Sequence, residues 1–186
     1  MRISGFLTRS AGPLGLILLM TATAAWPQER LRSDDAARVM LEEHNAARAD
    51  VGLEPLRWSD RLADDAADWA SHLARRNLYD HAPADVRKGQ GENLWRGSRD
   101  RWSPAEMIGF FVQEKRNFRP GDFPNISRTG QWSDVGHYSQ IIWPTTREVG
   151  CAIARTEYDE VLVCRYFPAG NIWGARIDPR EHVARR

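Results

Sequence analysis

The sequence predicts an α+β domain, three layers deep, with a small, mainly antiparallel sheet between helices. Three observations carry this reading. Segments with helical spacing fill the earlier part of the 186-residue chain. Short β-branched and aromatic segments fill its last third. The final two of these each carry a cysteine, on either side of Tyr158-Asp159-Glu160, which reads as the turn of an antiparallel hairpin.

The first stretch stands apart from the fold. MRISGFLTRSAGP carries Arg2 and Arg9 and no acid, and the apolar run LGLILLMTATAA follows. Small residues suited to cleavage lie at Ala22-Thr23-Ala24 or Thr23-Ala24-Ala25. This is the pattern of an export signal over residues 1–25, too short to span a bilayer. No later segment is apolar enough to do so. The expectation is a soluble secreted protein, periplasmic or extracellular, with no transmembrane anchor after cleavage.

Ser33 reads as a helix N-cap, with Asp34 and Asp35 in the first turn and Gly52 as the stop. LRWSD after Pro55 reads as extended. A second helix starts near Ser59 or Asp60, and Leu62, Ala66, Trp69, Ala70 and Leu73 give it one apolar face. Residues 80–102 hold Pro83, Gly89, Gly91 and Gly97 and read as loop with at most a short helical turn. Ser103-Pro104-Ala105-Glu106 is a capping box, which leaves Glu106 a structural role. Met107, Ile108, Phe111 and Val112 then form a helical face to about Phe118. Residues 119–135 read as loop. GHYSQIIW, EVGCAIAR and EVLVCRYF read as strands. The domain is expected over 33–174, with 175–186 a loosely ordered tail.

Removing Arg2 and Arg9 takes the basic residues from 26 to 24 against 25 acidic ones. No basic run stands out, so neither nucleic acid nor an anionic membrane surface is expected as a partner. In an exported chain the pair Cys151 and Cys164 predicts a disulfide rather than a metal site or catalytic thiol. HExxH, GxSxG, P-loop and GxGxxG motifs are all missing. The chemistry left is in five histidines and scattered carboxylates. His44 and His72 read as structural histidines on helix surfaces, and His182 falls in the tail.

GHYSQIIW, then Gly150-Cys151, then VCRYFPAGNIWG resemble the two signature segments of the CAP superfamily, the cysteine-rich secretory, antigen 5 and pathogenesis-related proteins, whose domain is also called SCP. EEHNAARADVGLEPLRWSDRLADDAADWA, GENLW and FFVQEKRNF resemble further family segments in the same order, so the likeness runs from about residue 35 to 174. The low cysteine content resembles the bacterial secreted type. The resemblance implies an α-β-α sandwich with a cleft lined by His81, Glu92, Glu114 and His137. Independently, the chemistry of two imidazoles suits His81 and His137 as ligands for zinc or another divalent cation, with the carboxylates as ligands or supports. His137 and Glu114 are the candidates for acid–base catalysis. Ser139, two positions after His137, would share its face on a strand. The loop 119–135 has no close match to the sterol-binding loop of some relatives.

Three functions follow from these residues. The first is a monomeric binding module for a divalent metal and a small or lipid-like ligand. The second is a hydrolase using the same four residues. The third is a structural cell-envelope domain. Catalysis is not the expectation.

Overall fold

The computed structural model describes residues 27–179 and 181. The expected export signal and His182 lie outside the described residues. The first helix, α1, runs Pro27–Ala49. It begins before Ser33, which therefore lies inside it and is no cap; proline at a first helical position suits the start. Gly52 follows at φ 73°, the left-handed conformation that glycine adopts without strain.

β1 (Arg57–Trp58) leads into α2 (Asp60–Arg76). The Ser59 hydroxyl caps α2 by accepting the Leu62 N–H, and Asn77 ends it at φ 52°. Leu62, Ala66, Ala70 and Leu73 are fully buried. Ala66, Ala70 and Leu73 pack against Leu94, Val161 and Val163 on one face of the sheet. Each such leucine contributes about 1.5–3 kcal/mol by leaving water. α3 is a single turn, Ala84–Arg87. α4 (Pro104–Gln113) carries the expected capping box, and a 3-10 turn continues it over Glu114–Asn117.

The sheet orders its strands β1, β4 (Glu148–Arg155), β5 (Asp159–Phe167) and β2 (Gly91–Ser98). Only β1–β4 is parallel. The β4–β5 hairpin sets Cys151 directly opposite Cys164, and their sulfurs are bonded. α2 covers one sheet face. α1, α4 and α5 (Gly136–Ile141) contribute Met40, Ile108, Phe111 and Ile141 to the core on the other. This is the expected three-layer α+β sandwich. At Gly150 a side chain would strike Ser59 O and the Ala63 N–H, so glycine is what lets the first turn of α2 lie on β4.

Three further local expectations fail. Residues 91–98 are a strand and not a loop. Gly91, Glu92, Asn93 and Leu94 are all buried, so the strand has no polar-out alternation to read. GHYSQIIW is helical over Gly136–Ile141. Gly136, Tyr138, Ser139, Gln140 and Ile141 are buried, and a short segment with only His137 partly exposed carries neither period. Finally, the domain runs past residue 174. β6 (Arg176–Ile177) pairs with β3 (Gly121–Asp122), and Ile177 is fully buried. No helix among the described residues is long and apolar enough to cross a membrane.

Candidate functional site

Glu92 sits at the start of β2 with no exposed side-chain surface. Its Oε1 accepts from His81 Nδ1 at 2.7 Å and from the Ala82 N–H at 2.9 Å. One carboxylate oxygen thus fixes both the imidazole and the backbone beside it. The other oxygen faces the buried Arg165, with Nε 2.9 Å from Oε2. That contact is an ion pair without hydrogen-bond alignment, and Arg165 Nη2 has no hydrogen-bond partner among the described residues. Arg165 Nη1 donates to Gln90, which donates to Asp65 on α2. Burial lowers the Arg165 pKa, and the Glu92 charge works against that.

Glu114, just past α4, repeats the device on the other helical layer. Its Oε1 accepts from His137 Nδ1 at 2.6 Å. Its Oε2 accepts the backbone N–H groups of His137, at 2.9 Å, and Tyr138, at 3.1 Å. These are orphan donors in the first turn of α5, so Glu114 also caps that helix from a distance. The His137 ring stacks on Phe111, with centroids 4.7 Å apart. The four residues implied by the resemblance therefore form two pairs, His81–Glu92 and His137–Glu114. In both pairs Nδ1 points at a carboxylate, which fixes the proton there in the neutral ring. Neither Nε2 has a hydrogen-bond partner among the described residues.

Asn93, next to Glu92, joins the two halves. Its Nδ2 donates to the His137 carbonyl at 3.1 Å and to the Tyr166 hydroxyl at 3.0 Å. Tyr166 lies 2.8 Å from His44 Nε2, and His44 Nδ1 lies 2.7 Å from the Met40 carbonyl. A carbonyl only accepts, so Nδ1 carries the proton and Nε2 accepts the Tyr166 O–H. Each link in this buried chain is satisfied. His44 is thus fully buried, where the sequence reading placed it on a helix surface. Burial, reinforced by Arg48, brings its pKa down to about 4, against the Met40 carbonyl. Burial likewise pushes the Tyr166 hydroxyl up. His72 stacks on Trp69.

Ser139 is a correction. Two positions along a helix turn a side chain well away from its neighbour, so it does not share the His137 face. It is fully buried, and its Oγ lies 2.7 Å from Asn171 Oδ1 and 3.1 Å from the Gly136 carbonyl. Among the described residues it makes no bond to an imidazole. Among the described residues, no three ligand atoms drawn from His81, Glu92, Glu114 and His137 lie within 4.8 Å of one another. The group that does, His44 with Cys151 and Cys164, is no metal site: the sulfurs form the disulfide and both His44 nitrogens are engaged.

Arg165 and Tyr166 were missed by sequence reasoning. Their neighbours in VCRYF gave a signal, since an arginine inside an apolar strand needs a buried counter-charge.

Comparison with known proteins agrees with this architecture. Residues 41–166 match the family model for CAP, the cysteine-rich secretory protein family. Pathogenesis-related protein 1A of Nicotiana tabacum is 36% identical over 144 residues, covering 77% of this chain and 81% of that protein. Pathogenesis-related protein PR-1 of Medicago truncatula is 37% identical over 138 residues, covering 73% and 75%. Among solved structures, NaASP2 with Zn2+ superposes with a TM-score of 0.63 at 23% identity, covering 77% of this chain and 85% of that one. BmVAL-1 gives a TM-score of 0.63 at 20% identity, covering 76% and 80%. The chain belongs to the CAP, or cysteine-rich secretory protein, family.

Proposed function

We propose that this is an exported, monomeric binding domain that takes a divalent metal ion, zinc or a similar cation, through Nε2 of His81 and His137. One observation carries the reading. Both imidazoles are oriented by a carboxylate at Nδ1 and present an unengaged Nε2, which is the usual support for a metal-ligating histidine. Imidazole nitrogen suits zinc, and two protein ligands, one fewer than the usual catalytic zinc site, would leave two tetrahedral positions for water or a small ligand. NaASP2, solved with Zn2+, supports the reading as a relative in fold. A bound cation would supply Lewis acidity. The residues themselves hold and orient the two rings. Glu92 and Glu114 act as supports, since Oε1 of each is engaged with an Nδ1. Ser139 makes no bond to either histidine among the described residues, so the geometry offers no serine–histidine pair.

Calorimetric titration with ZnCl2 tests this. The wild-type protein should bind one equivalent, and His81→Ala/His137→Ala should lose the binding while retaining its circular dichroism spectrum. Absence of binding, or full binding by the folded double variant, removes the proposal. A small or lipid-like ligand remains the expected occupant of the open positions.

A further inference from the structure

On the far side of the sheet from β2, one edge is left open. Cys151 and Cys164 have Cα atoms 4.1 Å apart, the spacing of opposed residues that do not bond to each other. The N–H and C=O groups of Cys151, Ile153 and Arg155 therefore point away from β5. β1 covers only the beginning of this edge, where Ser59 N–H donates to the Val149 carbonyl at 2.9 Å. Among the described residues, no backbone bond reaches the outward groups of Cys151, Ile153 and Arg155. The uncovered edge from Gly150 to Arg155 is about 20 Å long at the rise of a strand.

A groove of about 760 Å³ runs along that edge. Ala36, Ala37 and Met40 of α1 form one wall, and Ala63 and Ala67 of α2 form the other. Alanines on both sides leave room for a backbone to reach the strand. The charges on the rim are unequal. Arg155 is paired with Glu160, and Arg99 with Asp100. Asp60 and Asp64, one turn apart on α2, are exposed, and no ion pair is recorded for either among the described residues.

We infer that this groove binds an extended peptide, which adds to β4 as a further strand and sets basic side chains against Asp60 and Asp64. Only another extended backbone matches alternating N–H and C=O groups in register. Strand alternation then sends one row of side chains toward Met40 and the other toward the two aspartates. The walls exclude a second copy of the chain, because its own β4 edge lies equally deep between two helices.

The test titrates the full exported chain with acetyl-(Lys-Val)3-amide, following backbone amides by NMR. The control is the same peptide N-methylated at alternate residues, which removes its ladder donors. Saturable shifts should appear at Cys151, Ile153 and Arg155 and vanish with the control. Asp60→Asn/Asp64→Asn should weaken binding about tenfold, with added salt doing the same to the wild type. Ala67→Tyr, on an exposed wall position, should block the groove in a folded protein. Equal binding of the N-methylated peptide overturns the inference. So does an absence of shifts at millimolar peptide, or protection of these amides by dimerisation without peptide.

Discussion

The two histidine–glutamate pairs use one device in two environments. In each, a carboxylate holds Nδ1 and also accepts a backbone N–H at or beside the histidine. Glu92 does this with none of its side chain exposed and with Arg165 beside it; Glu114 does it 19% exposed, with no arginine partner among the described residues. The imidazoles differ in the opposite sense. His81 is 57% exposed, whereas His137 is 32% exposed and stacked on Phe111. A buried carboxylate therefore supports the looser ring, and a half-open carboxylate supports the tighter one. On the first side, stability depends on neutralising a charge; on the second, it depends on capping a helix and filling a core.

The largest effect should come from breaking the charge balance on the first side. Arg165→Leu leaves Glu92 buried beside an apolar side chain and should cost about 3–5 kcal/mol, read by urea unfolding. A loss below about 1 kcal/mol would mean that the ion pair, already poorly aligned, contributes little to the fold.

Acid should act on the second side instead. His44, through Tyr166 and Asn93, supports the His137 carbonyl. Its folded pKa lies near 4, below the unfolded value of 6.5. The fold keeps this ring neutral while the unfolded chain protonates it. That contribution is complete above pH 6.5 and disappears as pH falls toward 4. The loss is on the order of 3 kcal/mol over that window. Urea midpoints at pH 7 and pH 4.5 measure it, and His44→Gln should flatten the difference.

The smallest effect tests the cap. Glu114→Gln keeps an acceptor for the α5 N–H groups but removes the charge, so stability should fall by about 1 kcal/mol. Zinc affinity should fall about 10–100-fold, the usual cost of losing a carboxylate behind a ligating histidine. Equal losses of stability at Glu114 and at Arg165 would erase the contrast between the two sides.

These environments also explain what the sequence revealed. α2 and α4 were legible because one face is apolar and their capping residues are local: Ser59, Ser103 and Glu106 all act within three positions. The hairpin and its disulfide were legible from the turn and the two cysteines. β2 and α5 were not, because their residues are buried by partners distant in sequence. Gly91 lies against Gln140, and Glu92 against Arg165. Neither period survives such burial. The four site residues came from resemblance, and their division into two pairs came only from the structure. Ser139 was misplaced for the same reason that α5 was.

The metal reading requires that His81 and His137 present Nε2 together to one cation. Imidazole 15N NMR during addition of ZnCl2 addresses it most directly. Both rings should begin with protonated Nδ1, and Nε2 of His81 and His137 should shift in a single one-equivalent transition while His44 and His72 stay unchanged. Shifts confined to one of the two histidines, or appearing first at His72, would contradict it.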